Sequence, residues 1–179
     1  MTQYLALLGS INVGGNRIAM ADLKAALAHA GFAKVSTIAA SGNVLFDSDG
    51  EEADILETRI ADLVASEFAI ETFAVVRTGE ELVRARDECP FAGQGADKLV
   101  HIMFLERQPS AARFAQLQSD HAGRGPEKLA PGDRALHIDY VDGVGSTRLT
   151  KQFIERRLGC RGTARNISSL GKLIEKFDR

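Results

Sequence analysis

Residues 4–17 read YLALLGSINVGGNR, and this stretch predicts a strand, a glycine-rich loop and the approach to a helix. The apolar run Tyr4–Leu8 has the length of a strand and is ended by Gly9. After the loop, apolar residues between Leu23 and Ala30 recur at the spacing of one helical face, and Gly31 marks the end of that helix. The chain is therefore expected to open with strand, loop and helix.

The remaining elements follow from the same periodicities. Two strand-like segments, 35–40 and 43–46, flank Ser41-Gly42, where the glycine predicts a bulge or a bend. A helix with apolar residues between Leu56 and Val64 comes next, and the pattern Thr78-x-x-Glu81 predicts a capping box that opens another helix after strand 72–77. About 90 positions further on a similar order recurs: strand 100–105, helix 110–117, a long loop, strand 135–141, helix 149–158 stopped by Gly159, a short segment 162–165, and a last helix through Phe177.

This recurrence predicts an internal duplication and an α+β fold. Each half reads β-α-β-α-β with an extra helix, which favours two ferredoxin-like, split βαβ subdomains over a doubly wound parallel sheet. We expect an N-terminal subdomain at residues 1–95 and a C-terminal one at 96–179, linked by the glycine-rich segment 92–97. One continuous mixed sheet is the alternative arrangement of the same elements.

Composition favours a globular protein of the reducing cytoplasm. Of the 179 residues 45% are apolar, and neither Cys89 nor Cys160 belongs to a C-x-x-C motif or a metal-ligand spacing, so no disulfide framework is expected. The first residues lack a basic region before their short apolar run, so we expect no signal peptide. No run approaches the roughly 20 apolar residues of a membrane span, so no membrane partner is expected.

Charge is distributed unevenly along the chain. The net charge is −2, yet residues 148–179 contain nine Lys or Arg and three acidic residues. Such a basic block is typical of a surface that binds anions or nucleic acid. However, Arg156, Arg157, Lys172 and Lys176 fall on the polar sides of predicted helices, and we favour solvated helix faces.

The loop of residues 9–17 is the most distinctive candidate site. A glycine-containing loop between a strand and a helix is where backbone N–H groups converge on an anion. The nucleotide-binding patterns G-x-x-x-x-G-K-[ST] and G-x-G-x-x-G are both missing from it. Two interpretations remain: a ligand loop formed by Asn12, Gly14, Gly15, Asn16 and Arg17, or a tight loop with positive φ at both glycines and with the two asparagines bonded inside it.

These residues resemble a bacterial family known as domain of unknown function 1697. Members of that family read Leu-Leu-Arg-Gly-Ile-Asn-Val-Gly-Gly where residues 7–15 here read Leu-Leu-Gly-Ser-Ile-Asn-Val-Gly-Gly. The resemblance continues through Met-Ala-Asp-Leu at 20–23, Ser-Gly-Asn-Val at 41–44 and Arg-Asn at 165–166. It spans essentially the whole chain and implies no activity.

The departures from the family pattern concern side chains that are able to hold a ligand. Gly9 stands where the family has arginine, and Ile167 stands where it has tryptophan after Arg-Asn. Residues 148–151 read Arg-Leu-Thr-Lys where the family has Lys-Leu-Thr-Asn. If the family's arginine and tryptophan bind a ligand, part of that site is lost in this chain.

Three further segments carry candidate ligand-binding residues. Ser41, Gly42 and Asn43 follow a strand and offer amide and hydroxyl groups to a polar molecule, although Ser and Asn beside Gly also form ordinary turns. Thr150 and Lys151, with Arg148 and Thr147, begin a predicted helix and suit an anion, although Thr147 as a plain N-cap is the favoured interpretation. Arg165 and Asn166, just before the last helix, are the best candidate in the C-terminal half.

No metal, cofactor or enzyme class is assigned by the sequence. The histidines at 29, 101, 121 and 137 form no metal-ligand interval. His101 and His137 are expected to share one polar, partly solvated sheet face with Asp139. Cys89 lacks an activating base among its sequence neighbours and is expected to be an inert thiol.

Three classes of function stay open. In the first, the polar loops converge between the halves and bind a small polar or anionic molecule. In the second, the basic helices and an open sheet face bind nucleic acid. The pI of about 6.1, the absence of tryptophan and the presence of only two tyrosines argue against this class. In the third, an exposed apolar patch binds another protein. The sequence predicts no oligomeric state.

Overall fold

The computed structural model describes residues 1–12, 14–39 and 42–177. The chain forms two compact units. Unit 1 comprises Met1–Leu82 together with residues from Lys176 onward, and unit 2 comprises Val83–Glu175. The subdomain border at residue 95 stays a prediction.

Unit 1 contains a four-stranded antiparallel sheet in the order β2-β3-β1-β4. The long apolar run of β1 forms one of the two central strands, which explains why four successive residues, Leu5 to Leu8, are at most 2% exposed. The elements are β1 Thr2–Leu8, α1 Met20–His29, β2 Ala33–Ile38, β3 Asn43–Ser48, α2 Ala53–Phe68 and β4 Ala74–Thr78, followed by α3 Gly79–Asp87, which crosses the border between the units.

The core of unit 1 lies between its sheet and two helices. Both helices present an apolar stripe at i, i+4 spacing, Leu23 and Leu27 in α1 and Leu56, Ile60 and Val64 in α2. These stripes pack in one cluster with alternate residues of the strands, Ala6, Leu8, Val44, Phe46, Ala74 and Val76. The sequence periodicity therefore determines which faces meet.

Unit 2 repeats this architecture strand for strand. Its antiparallel sheet has the order β6-β7-β5-β8, which is the order of unit 1 with each strand replaced by its counterpart. The elements are β5 Val100–Leu105, α4 Ala111–His121, β6 Lys128–Gly132, β7 Ala135–Asp139, α5 Lys151–Leu158, β8 Gly162–Asn166 and α6 Ile167–Ile174. Two four-stranded β-α-β-β-α-β units confirm the α+β, ferredoxin-like fold class and exclude one continuous mixed sheet.

The prediction of a long loop before β7 was wrong, because that segment contains β6. The strand Lys128–Gly132 contains Pro131 and ends in glycine, a composition that argues against a strand in the middle of a sheet. However, β6 pairs only with β7 and forms the edge of its sheet. Proline is tolerated there because its missing N–H is not needed by a second neighbour.

The central strands are buried on both faces. In β1, Leu5 and Leu7 on one face are as fully buried as Ala6 on the other. In β5, Ile102 is fully buried and Met103, on the opposite face, is 3% exposed. Neither strand presents an open apolar face to solvent.

The ends of the helices test the capping predictions. Thr78 and Glu81 form the predicted capping box: Thr78 N donates to Glu81 Oε2 at 2.8 Å, and Glu81 N donates to the Thr78 hydroxyl at 3.2 Å. Gly159 ends α5, as predicted, and adopts the left-handed conformation. The last helix ends at Ile174, so the prediction that it continues through Phe177 was wrong.

Candidate functional site

The loop after β1 is fastened at its base to two other segments of unit 1. Leu8 N donates to Gly42 O, and Gly9 N donates to Phe73 O, both at 2.9 Å. The Thr72 hydroxyl donates to Gly9 O. The first turn of the loop therefore has its position set by the β2–β3 connection and by the residues that precede β4.

Two asparagines close the loop from inside. Asn12 Oδ1 accepts from Ile18 N at 2.9 Å, and Asn12 Nδ2 lies 3.6 Å from the sulfur of Met20. Asn16 Nδ2 donates to Ser10 O at 3.3 Å, while Asn16 O accepts from Asn12 N. These are the internal bonds that the tight-loop interpretation requires.

The backbone of the loop is left-handed at non-glycine residues. Ser10 has φ of 54° and Asn12 has φ of 56°, beside Gly14 at 70°. The prediction of positive φ was right for Gly14 and wrong for Gly15, whose φ lies outside that region. Ser10 takes the left-handed conformation at the position where the related family carries glycine, at a cost on the order of 1 kcal/mol.

The tip of the loop is open to solvent. Gly14, Gly15, Asn16 and Arg17 are all exposed, and a Cβ built on either glycine would meet no atom within 4 Å. Val13 lies outside the described residues. Backbone and guanidinium groups at the tip are therefore accessible to a molecule from solution.

The ring of Phe73 leaves no room for a side chain at position 9, where the related family has arginine and this chain has glycine. A Cβ at Gly9 would lie 2.1 Å from Cε1 of Phe73, well inside the contact distance of two carbon atoms. The Phe73 ring is itself 6% exposed and occupies the space into which a side chain at position 9 would project. The other replacement, Ile167, begins α6 and is half-buried.

The second candidate segment meets the loop at Gly42. Its φ is 75°, and a Cβ there would lie 2.7 Å from Cδ1 of Ile11. Asn43 is 3% exposed and begins β3, and its Nδ2 donates to Ile38 O at 3.0 Å. Ser41 lies outside the described residues. Unit 1 thus brings two predicted segments into contact, with Gly42 and Asn43 in structural roles at the turn.

In unit 2 the side chains before and in α5 are already engaged. Thr150, and not Thr147 as predicted, is the N-cap of α5, and its hydroxyl accepts from Phe153 N at 3.1 Å. The prediction of Thr147 was wrong because its hydroxyl donates to Glu127 and also accepts from Leu149 N. Lys151 is exposed and lies 4.0 Å from Glu155, one helical turn along.

Arg165 and Asn166 end β8. The Arg165 Nη1 donates at 2.8 Å both to the Thr163 hydroxyl and to Ala164 O, and burial lowers the pKa of Arg165 to about 10. Asn166 is the N-cap of α6 and accepts from Ser169 N at 2.8 Å. That the loops of the two halves converge stays a prediction.

Several basic residues around α5 are engaged in unit 2. Arg157 Nε lies 2.9 Å from Asp120, and its guanidinium lies 3.4 Å from the centroid of the Phe153 ring. Arg113 donates to Arg157 O at 3.2 Å, at the end of the helix where cations are favourable. Arg113 and Arg157 therefore hold α4 and α5 together through contacts within unit 2.

The prediction that His101 and His137 share a sheet face was wrong. His101 pairs with Ile138, whereas His137 pairs with Ile102, so the two histidines point to opposite faces of the sheet. His137 and Asp139 do share a face, but both are buried, at 3% and 5% exposure. Burial lowers the pKa of His137, which favours the neutral ring.

Sequence reasoning missed a buried histidine–glutamate pair in unit 2. The side chains of His121 and Glu127 are 6% and 4% exposed, and His121 Nε2 lies 3.3 Å from Glu127 Oε2 and 3.2 Å from Glu127 O. Both line a pocket of about 240 Å³, together with Gln118, Ala122, Gly125 and Leu129. The pair joins the end of α4 to the approach to β6.

The charge of Glu127 is set by its surroundings. Burial alone would raise the pKa of Glu127, but the hydrogen bond from Thr147 and the proximity of His121 hold it below its ordinary value. Because a loop separates His121 from Glu127, periodicity gave no signal for the pair. The run Gly123-Arg-Gly-Pro126 marks a loop there and nothing more.

In residues 1–12, 14–39 and 42–177, no three His, Cys, Asp or Glu side chains group as a metal site would require. Over the same ranges, no helix combines the length and the apolar character needed to cross a bilayer.

Comparison with known proteins identifies relatives of unknown function. The model of a family described as protein of unknown function (DUF1697) matches residues 1–137. A solved structure described as conserved bacterial protein SP0830 from Streptococcus pneumoniae is similar, with a TM-score of 0.75 and 20% sequence identity, over 100% of this chain and 99% of that one. At that identity the likeness concerns the fold. No curated protein matches the sequence.

Proposed function

The chain belongs to the DUF1697 family of proteins of unknown function, and we propose that it binds a small polar or anionic molecule at the tip of the loop after β1. The contacting groups are the backbone of Gly14 and Gly15 and the side chain of Arg17. The observation that carries the proposal is a strained loop whose base is fixed and whose tip is open.

The left-handed residues of the loop support a binding role. Ser10 and Asn12 are both left-handed, although neither is glycine. Such residues persist only where surrounding bonds hold them, and they cluster at ligand sites. Here the bonds of Asn12 to Ile18 and of Asn16 to Ser10 hold the two ends of the loop together.

The chemistry of the tip supports a ligand with acceptor oxygens. Glycine lets a ligand approach the backbone closely, and exposed N–H groups donate hydrogen bonds. Arg17 adds a planar cation suited to carboxylate or phosphate. Because the tip is exposed, we expect modest affinity, with the ligand held by a few charge-assisted bonds.

The nucleic-acid alternative has less support from the burial of the sheets. Base stacking on a sheet needs an open face with aromatic residues, and the central strands β1 and β5 are buried on both faces. That alternative would rest on the basic helices alone. The large apolar residues exposed among those described, Met1, Ile55, Val141 and Val144, lie outside the regular strands and give an interaction module no sheet patch.

A thermal-shift screen tests the proposal with nucleotides, phosphorylated metabolites and amino acids as probes. A ligand at about 100 times its Kd adds about 2.7 kcal/mol of stability, which raises the Tm of a chain of this size by about 5–10 °C. The shift should disappear in Arg17→Gln and in Gly15→Asp, which remove a cation and add an anion at the tip. Neither change removes a bond that closes the loop.

The matched control is Lys24→Gln, which removes an exposed cation of α1. A hit that survives Arg17→Gln and Gly15→Asp would refute the proposed location. A screen in which only oligonucleotides raise the Tm, and in which salt abolishes the effect, would replace the proposal with the nucleic-acid function.

A further inference from the structure

The last strand of each unit lies at an edge of its sheet. β4 ends the strand order of unit 1, and β8 ends the strand order of unit 2. An edge strand has backbone N–H and C=O groups that point away from its own sheet, and a strand of another chain can pair with them. The groups that occupy these outward positions therefore decide whether the sheet can be extended.

The register of β4 identifies its outward groups. In an antiparallel ladder, opposed residues alternate between pairs that exchange hydrogen bonds and pairs that do not. Gly9 N donates to Phe73 O, and from this bond the alternation leaves Val76, opposite Ala6, unbonded to β1. The N–H and C=O of Val76 therefore point outward from the sheet.

Side chains of unit 1 occupy both outward groups of Val76. Val76 N donates to Glu57 Oε1 of α2, and Arg77 Nη1 donates to Val76 O, both at 2.9 Å. The same Arg77 nitrogen lies 3.5 Å from Glu57 Oε1, and the two side chains are only 7% and 12% exposed. A buried ion pair thus covers the middle of the β4 edge, and an incoming strand would have to displace it.

The register of β8 is the counterpart of that of β4. Glu106 N donates to Arg161 O, and counting from this bond leaves Gly162 and Ala164 unbonded to β5. Their backbone groups therefore point outward from the sheet of unit 2.

A glutamate and an arginine occupy these groups as well. Gly162 N–H is hydrogen-bonded to the carboxylate of Glu155 in α5. Arg165 Nη1 donates to Ala164 O at 2.8 Å. In each unit, an arginine therefore bonds the outward carbonyl of the residue before it, and a glutamate of the preceding helix accepts an outward N–H.

The two arginines occupy equivalent places in the duplicated fold. Arg77 stands directly before Thr78, whose hydroxyl accepts from a backbone N–H of α3, and Arg165 stands directly before Asn166, the N-cap of α6. The pair Arg165-Asn166 is a candidate ligand site by sequence. Its structure gives both residues a place at the junction of edge strand and helix.

The other two edge strands carry different obstacles to pairing. In β6, Pro131 has no N–H, and Leu129 O accepts from Gln118 Nε2 at 3.2 Å. In β2, the register shifts around Lys34, which has a left-handed φ of 49°. Bulges and charged residues disrupt an edge. Every edge strand that the structure describes therefore carries an obstacle.

We propose that the glutamate–arginine sets are edge guards that keep a second copy of the chain from adding a strand at β4 or β8. The guards are Glu57 with Arg77 and Glu155 with Arg165. A second copy is the partner to exclude because an antiparallel edge is complementary to itself: two β4 strands centred on Val76 would exchange both of its bonds across a twofold axis.

Analytical ultracentrifugation over a range of protein concentrations tests the proposal. Glu155→Ala frees Gly162 N–H and should raise the constant for self-association at least about tenfold, because the freed donor finds its acceptor on a second copy. Glu155→Gln keeps an acceptor oxygen and should leave the constant unchanged. Glu175→Ala removes an exposed carboxylate of the same unit and should also leave it unchanged.

Amide hydrogen exchange shows where the copies meet. In the unaltered chain, the N–H groups of Val76 and Gly162 should be protected although both point away from their sheets. In Glu155→Ala at low concentration, Gly162 N–H should exchange at least about tenfold faster. It should regain protection as the concentration is raised, because an added strand then accepts its bond.

Glu57→Ala is the parallel variant in unit 1, with Glu67→Ala on the exposed side of the same helix as its control. Removing one partner of a buried ion pair is destabilising. Circular dichroism therefore establishes whether each variant is folded, and if Glu57→Ala is not, the Glu155 variants decide.

Three results would overturn the proposal. The first is a folded Glu155→Ala that associates no more than Glu155→Gln and Glu175→Ala. The second is association without protection of Gly162 N–H, since the copies would then meet elsewhere. The third needs no variant: exchange of the Val76 and Gly162 N–H groups of the unaltered chain at the rate of unbonded amides.

Discussion

Replacement of Gly42 by alanine should destabilise unit 1 more than any comparable change at a glycine on its surface. Gly42 has φ of 75°, where an L-residue costs about 1 kcal/mol or somewhat more. A Cβ there would also lie 2.7 and 2.8 Å from the side-chain carbons Cδ1 and Cγ1 of Ile11, and 3.0 Å from Leu8 Cβ. Both residues are buried, at 3% and 2% exposure, so neither side chain can turn away into solvent.

The magnitude follows from these two contributions. Overpacking of a core typically costs about 1–3 kcal/mol, so with the backbone term Gly42→Ala should lower the free energy of unfolding by about 2–4 kcal/mol. Gly50→Ala is the matched control, because Gly50 has a nearly equal φ of 69° and no atom within 4 Å of its Cβ position. It should cost only the backbone term, about 1 kcal/mol.

Urea denaturation followed by far-UV circular dichroism measures both variants, since the chain has no tryptophan for a fluorescence assay. The difference between the two free energies isolates the contact of Gly42 with Ile11. If Gly42→Ala were no more destabilising than Gly50→Ala, the contact between the β2–β3 turn and the loop after β1 would be refuted, and with it the account of how that loop is fixed.

Two further predictions concern unreacted thiols and acid stability. Cys89 and Cys160 are both buried, and burial raises the pKa of Cys160. Neither thiol should therefore react with Ellman's reagent until the protein is denatured. Rapid labelling of either thiol in the native protein would contradict the burial. The pKa of Glu127 is held below its ordinary value of 4.5, so its stabilising contribution is present above that pH and is lost as the pH falls through the folded-state pKa. The free energy of unfolding of Glu127→Gln should therefore depend less steeply on pH below 4.5 than that of the unaltered chain, and identical slopes in urea denaturation would show that Glu127 is not stabilised in its ionised form.

The fold was predictable because its determinants are local. The i, i+4 stripes of α1 and α2 and the apolar run of β1 are visible in sequence, and each buries the face that its period indicates. The capping box Thr78-x-x-Glu81 is also a local signal, and both of its reciprocal bonds form. The strand β6 was missed because Pro131 is compatible with a strand only at a sheet edge, and edge position is a property of the whole sheet.

The candidate sites were less predictable because they depend on which bonds a side chain makes in three dimensions. Thr147 and Thr150 are equally good N-caps by composition, and the difference between them arises from Glu127, twenty residues away in sequence. Asn12 and Asn16 were predicted both as ligand groups and as internal ties, and their bonds are internal. The left-handed conformation of Ser10 is imposed by the loop around it, since serine itself does not favour it.

The duplicated fold separates what is shared by the two units from what is specific to each. In unit 1 the connection after the first strand is long, residues 9–19, and the connection after the first helix is short, residues 30–32. In unit 2 the corresponding connections are nearly equal, residues 106–110 after the first strand and residues 122–127 after the first helix, and the longest connection is residues 140–150. The longest connection of unit 1 is the one that carries the glycine loop.

This pattern has a physical reason. The order of strands and the stripes that bury the helices must be kept in both copies, because each sheet needs them to form its core. A connection on the surface is free of that requirement and can lengthen at little cost in stability, since the entropy of closing a loop rises slowly with its length. Two units with one architecture can therefore differ in their surface connections, and the glycine loop of unit 1 has no counterpart of equal length after the first strand of unit 2.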